Sequence, residues 1–112
     1  MDEILLIEMG QRIYERRRQL MLTQEQLAEQ AGLTPQTVST AELGKKAMRP
    51  ENIIKMCDAL EVSTDYLLRG KISSEDEDML CQKVSHLPPG QYRHLENIIN
   101  SFLAAIEEER KA

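Results

Sequence analysis

The sequence predicts an all-α fold, and three observations carry that prediction. Four aromatic residues among 112, with few runs of Val or Thr, leave little material for a sheet core. Turn-forming residues (Gly32, Pro35, Gly44, Pro50, Gly70 and the Pro88-Pro89-Gly90 cluster) fall between stretches whose apolar residues recur at helical spacing. The chain is 41% hydrophobic and 29% charged, which suggests neither a disordered polar tract nor a membrane span. The apolar run at residues 4–7 is far too short to span a bilayer, and it follows Asp2 and Glu3, where a secretory signal would carry positive charge.

Seven helices follow in order. Helix 1 is expected over residues 7–21, with Ile13, the stem of Arg17 and Leu20 on one face at i, i+4 and i+7. The 4–7 run is read as extending it and packing on the tail. Thr23 is a good N-cap for helix 2, which carries Leu27, Ala28 and Ala31 inward. Helix 3 starts after Thr34 with Pro35 in its first turn, turns Val38, Ala41 and Glu42 inward, and ends near Gly44. Helix 4 begins around Pro50 and repeats Ile53, Ile54, Cys57 and Leu60 at helical spacing. Helix 5 runs from a Ser63 cap through Tyr66, Leu67 and Leu68 to Gly70, where a first domain, residues 1–70, is expected to end. A joint at residues 71–74 opens the second segment, residues 71–112. Helix 6 starts there with Glu75-Asp76-Glu77-Asp78 at the positive end of its dipole, and helix 7 follows over residues 90–110.

Cys57 and Cys81 show no CxxC spacing, so neither a disulfide framework nor a structural zinc site is expected, and the simplest setting is the reducing cytoplasm. Cys57 shares an apolar face with Ile53 and Leu60 and reads as a core thiol. Cys81 with His86 or His94 fits no standard metal spacing. No cofactor or metal is expected, and without a Ser/His/Asp set, a Cys/His pair in context or a Gly-rich phosphate loop, the chain reads as no enzyme. The net charge of −5 hides an asymmetry: residues 10–55 hold eight Lys/Arg against five Asp/Glu, residues 71–112 five against eight. Of the run Arg16-Arg17-Arg18, only Arg17 shares the apolar face; the other two read as solvated.

The informative stretch is TQEQLAEQAGLTPQTVSTAELG, residues 23–44. Two short helices meet at a tight turn, where Gly32 can take a left-handed conformation and the small Ala28 and Ala31 permit close approach. Leu33, Val38 and Ala41 bury the inner side of the second helix, leaving Gln36, Thr37 and Thr40 on its outer face. With GQRIYERRRQLMLTQEQLA before it and AELGKK and ALEVSTDYLLRG after it, this stretch resembles the phage-repressor-like helix-turn-helix regulators (Xre, or Cro/C1-type) over more than half the chain. The resemblance implies a five-helix lambda-repressor-like DNA-binding domain, followed here by two C-terminal helices. It implies that Gln36, Thr37 and Thr40 face base edges in the major groove, and that Gln24, Thr34, Lys45, Lys46 and Arg49 meet phosphates. It also implies a buried ion pair between Arg17 and Glu42. Leu43 stands where the family usually carries a polar or basic residue, Ala41 is smaller than the usual branched aliphatic, and the loop over residues 45–49 is slightly longer.

The expected function is sequence-specific regulation of transcription, with double-stranded DNA as partner, a palindromic operator, and repression as the mode. Helix 7 spaces Tyr92, Leu95, Ile99, Phe102 and Ile106 at alternating three- and four-residue steps, the pattern of a helix packing lengthwise on another, so a homodimer through this face is expected. The alternative is a protein-interaction module, such as an antitoxin whose helical tail neutralises a toxin.

Overall fold

A computed structural model describes residues 2–111, and every regular element among them is helical: α1(Glu3–Gln19), α2(Gln24–Ala31), α3(Pro35–Glu42), α4(Pro50–Leu60), α5(Thr64–Arg69), α6(Ser74–Ser85) and α7(Pro89–Lys111). Local chemistry sets most helix starts. The Asp2 carboxylate accepts the Ile4 N–H at 2.8 Å, so α1 begins at Glu3 and takes in the whole 4–7 run, four residues earlier than expected. Thr23 and Gln26 form a reciprocal capping box at α2, and Thr34 and Ser63 cap α3 and α5 through their hydroxyls. Arg49 supplies no side-chain cap to α4; Pro50 at its first position removes one of the donors that would need one.

Helix ends in this region share one device: Met21, Gly32, Gly44, Glu61 and Gly70 all have φ between 57° and 71°. The Leu22 N–H then reaches back to the Arg17 carbonyl at 3.1 Å, and the Val62 N–H reaches Cys57 at the same distance, satisfying carbonyls that the helix leaves open. This ends α1 at Gln19 rather than at residue 21.

Contacts divide the chain into two compact units that meet between Asp78 and Met79, within α6 rather than at Gly70. The first unit holds the core: Met9 and Ile13 of α1, Leu27 and Ala28 of α2, Val38 and Ala41 of α3, Ile53, Met56, Cys57 and Leu60 of α4, and Leu67 of α5. Leu5 packs against this cluster, so the early part of α1 has a place in the core. Cys57 is a core thiol whose pKa burial pushes up to about 11, aided by the nearby Asp58, Asp76 and Glu75.

Arg16 departs from the solvated face expected for it. Its guanidinium donates to the Leu60 carbonyl at the end of α4 (2.9 Å), and Arg12, one turn earlier, donates to the Leu67 carbonyl in α5 (2.9 Å). Two arginines on one face of α1 thus satisfy carbonyls of two other helices, where positive charge also suits the dipole. The first unit is closed by Asp76. Its carboxylate accepts from the backbone and hydroxyl of both Ser63 and Ser73, joining the cap of α5 to the start of α6. Burial pushes the Asp76 pKa up, but these hydrogen bonds outweigh it and hold the group below the usual aspartate value. In the second unit, neither α7 nor the part of α6 that belongs to it buries a single side chain.

Candidate nucleic-acid interface

The interface is built on α3, and α3 is held by what lies beneath it. Val38 is fully buried and Ala41 nearly so, which leaves Gln36 exposed and Thr37 and Thr40 half-buried on the opposite side. Thr34 and Thr37 are partly engaged with each other: the Thr34 hydroxyl accepts the Thr37 N–H at 3.2 Å and lies 2.9 Å from the Thr37 hydroxyl. The Gln36 amide donates to the Thr40 hydroxyl at 3.4 Å. The outer face therefore offers one amide and two hydroxyls, each engaged with a neighbour one helical turn away or less.

Two features fix the direction in which that face points. At one end, Arg17 and Glu42 form a two-point ion pair, Nε to Oε2 at 2.7 Å and Nη2 to Oε1 at 3.1 Å. Both side chains are at most 10% exposed. The remaining Arg17 donor reaches the Leu22 carbonyl at 2.9 Å, and the Tyr14 ring lies 5.3 Å from the guanidinium. The hydrogen bond to Glu42 raises the Arg17 pKa against the opposing effect of burial. The pair joins the end of α1 to the end of α3, and Gln24, which donates to the same Glu42 carboxylate at 3.1 Å, adds the start of α2. At the other side, Gly10 lets α1 cross α3 at close range. A Cβ there would sit 2.5 Å from the carbonyl oxygens of Ala41 and Glu42, a distance no side chain tolerates. Spacing alone gave no signal for Gly10; only the closeness of the crossing reveals it.

A groove runs along the exposed side of α3 into the α3–α4 loop, lined by Gln36, Thr37, Thr40, Lys46, Arg49 and Asn52 among others. Five of the residues assigned to DNA are therefore together on one surface. Gln24 lies apart, in a shallow depression with Arg18, Met21 and Thr23, and Thr34 and Lys45 are exposed outside both. Asn52, in the first turn of α4, joins the groove without having been singled out from the sequence, where it reads as one more polar residue before the isoleucines. Leu43 ends α3 more than half exposed, and the turn after it is pressed against α1, since a Cβ on Gly44 would meet the Ile7 backbone at 2.9 Å. Chemically, the groove combines amide and hydroxyl groups with the cationic side chains of Lys46 and Arg49.

Comparison with known proteins places this arrangement among relatives. The helix-turn-helix family pattern matches residues 13–67. Repressor protein C2 of Salmonella phage P22 is 32% identical over 84 residues, which cover 75% of this chain but only 38% of that protein. The chain thus spans about two fifths of that relative's length. The transcriptional repressor RstR of the cryptic phage CTXphi in Vibrio cholerae serotype O1 is 24% identical over 99 residues, covering 87% of this chain and 88% of RstR. Among solved structures, the P22 c2 repressor in complex with a synthetic operator superposes with a TM-score of 0.55 at 35% identity, covering 56% of this chain and 96% of that one. The restriction-modification controller protein C.AhdI of Aeromonas hydrophila gives 0.54 at 35% identity, over 55% and 94%.

Proposed function

Because this chain belongs to the phage-repressor-like helix-turn-helix regulators, a family of DNA-binding proteins and not of enzymes, we propose that it binds a palindromic DNA operator as a homodimer and represses transcription by occluding the promoter. The cytoplasm is its place of action. The observation that carries the reading is the groove along α3, in which Gln36, Thr37 and Thr40 share one surface with Lys46 and Arg49. Gln36 reads bases, where an amide can pair bidentately with adenine, and Thr37 and Thr40 offer hydroxyl or methyl contacts. Lys45, Lys46 and Arg49 neutralise phosphates along one flank, and Gln24 and Thr34 meet the backbone near the N-termini of α2 and α3. Two such helices, carried about 34 Å apart by a dimer, would read successive major grooves.

The test is retention of genomic fragments by the purified protein, followed by titration of the selected site across salt concentrations. If the three loop cations each displace a counterion, the log–log slope is roughly −3 per subunit, about −0.9 for each phosphate. Gln36→Ala is expected to relax preference at one base pair by about 1–3 kcal/mol, whereas Lys46→Ala weakens all sequences alike. Absence of DNA binding at 50 mM salt overturns the reading.

A further inference from the structure

We propose that Leu43 reads the C5-methyl group of a thymine in the operator, adding an apolar contact to those of Gln36, Thr37 and Thr40. The inference rests on the reading of α3 as the base-facing helix. Leu43 caps the C-terminal end of α3 without leaving the helical course: its φ and ψ are −80° and −7°, and its N–H donates to the Ser39 carbonyl at 3.1 Å. Gln36, Thr40 and Leu43 therefore follow one another at i, i+4 and i+7, a single stripe on the side of α3 away from the buried Val38 and Ala41. Leu43 ends that stripe two turns beyond Gln36, about 10 Å along the axis at ~1.5 Å per residue.

The side chain is open and its base is held. Leu43 is 59% exposed. On one side of it Glu42 is pinned by Arg17 and Gln24; on the other, Gly44 turns at φ 67° so close to α1 that a Cβ would lie 2.9 Å from the Ile7 backbone. A polar or basic residue, usual here in the family, can bond a phosphate; leucine cannot. What leucine can meet in the major groove is the thymine methyl, the apolar group among the base edges presented there. That methyl stands on the flank of the groove, near the backbone of its own strand. A recognition helix whose N-terminal residues reach the base edges brings its later turns past that flank.

Uracil scanning tests this in the full-length protein. Each thymine of the DNA site retained by the purified protein is replaced in turn by deoxyuridine, which deletes the methyl and keeps the pairing edge. Affinity is then titrated for the unaltered chain and for Leu43→Ala, Leu43→Asn and Leu43→Met. One thymine in each half-site is expected at which uracil weakens the unaltered chain about fourfold, the worth of burying one methyl. At that position Leu43→Ala and Leu43→Asn bind thymine and uracil alike, whereas Leu43→Met, which keeps an apolar tip, still prefers thymine. The proposal is overturned if no thymine is sensitive, or if the same preference persists in Leu43→Ala and Leu43→Asn, which would give the methyl to Thr37 or Thr40. A protein that binds its site without any Leu43-dependent thymine overturns this contact alone; one that retains no DNA overturns the regulatory reading beneath it.

Discussion

Helices α4 and α7 are both amphipathic, yet their apolar stripes meet different fates. In α4, Ile53, Met56, Cys57 and Leu60 are all buried, and only Ile54 on the far side remains largely exposed. In α7, which is twice as long, nothing is buried. The difference lies in what surrounds each stripe. Around α4 the chain supplies α1, α2 and α5 in short succession, and a side chain such as Arg16 reaches across to satisfy the helix end. Within its own unit α7 reaches no such burial. An apolar period in a sequence thus states that a helix needs cover, and leaves open whether the cover comes from the same chain.

The sharpest way to break the well-covered region is through its buried charge. Arg17→Ala takes the cationic partner from the buried Glu42 carboxylate, leaving it the neutral Gln24 amide, and takes the guanidinium donor from the Leu22 carbonyl. Losing one partner of a buried pair costs about 3–5 kcal/mol, so the first unit is expected to melt far earlier, as followed by circular dichroism. An unchanged melting temperature removes the pair from the account of how α3 is oriented.

A pair of alanine substitutions tests the contrast between the helices directly. Leu60→Ala opens a cavity beneath α4 and is expected to cost about 2–5 kcal/mol in denaturant unfolding. Ile99→Ala on α7 is expected to leave that transition within about 0.5 kcal/mol, while weakening self-association in sedimentation experiments. Equal destabilisation by both would mean that α7 is covered in the way α4 is.

The elements were largely legible in the sequence because caps and turns are local. Thr23, Thr34 and Ser63 start helices where their spacing places them, and Gly32, Gly44 and Gly70 mark ends. What was not legible depends on residues that meet only after folding. Met21 and Glu61 carry no signal for a left-handed turn, so the end of α1 was placed too late. Arg16 looks like its neighbours until the Leu60 carbonyl is brought beside it. Of the candidate site, the outer face of α3 followed from its apolar period, and the pairing of Arg17 with Glu42 required the family resemblance. Gly10, Asn52 and the role of Asp76 required coordinates, since each acts on a segment distant in sequence.

Asp76 offers a smaller, pH-dependent test of where the covered region ends. Its pKa is lowered in the folded chain, so its contribution to stability is complete above the ordinary aspartate value of about 3.9 and is lost as pH falls through the folded value. Protection of the Ser63 and Ser73 amides from hydrogen exchange, relative to the intrinsic rate at each pH, is expected to fall across that acid range, and Asp76→Asn is expected to flatten the response. The smallest effect expected is a gain. Met21 is 89% exposed in a left-handed conformation, so Met21→Gly relieves strain without emptying the core. Relief of about 1–2 kcal/mol set against the greater freedom of glycine in the unfolded chain leaves up to about 1 kcal/mol of added stability in denaturant titrations.

The two cysteines give the molecule a built-in clock. Cys81 is exposed and Cys57 lies in the core with its thiol pushed up to about 11, so an alkylating reagent at neutral pH meets one at once and the other only after the first unit has opened. The lag between the first and second mass increments therefore measures how often that unit breathes, in the unmodified protein and without a dye. If operator DNA closes on α3, the same lag lengthens, and occupancy of the site becomes readable from a residue buried on α4 in the same unit.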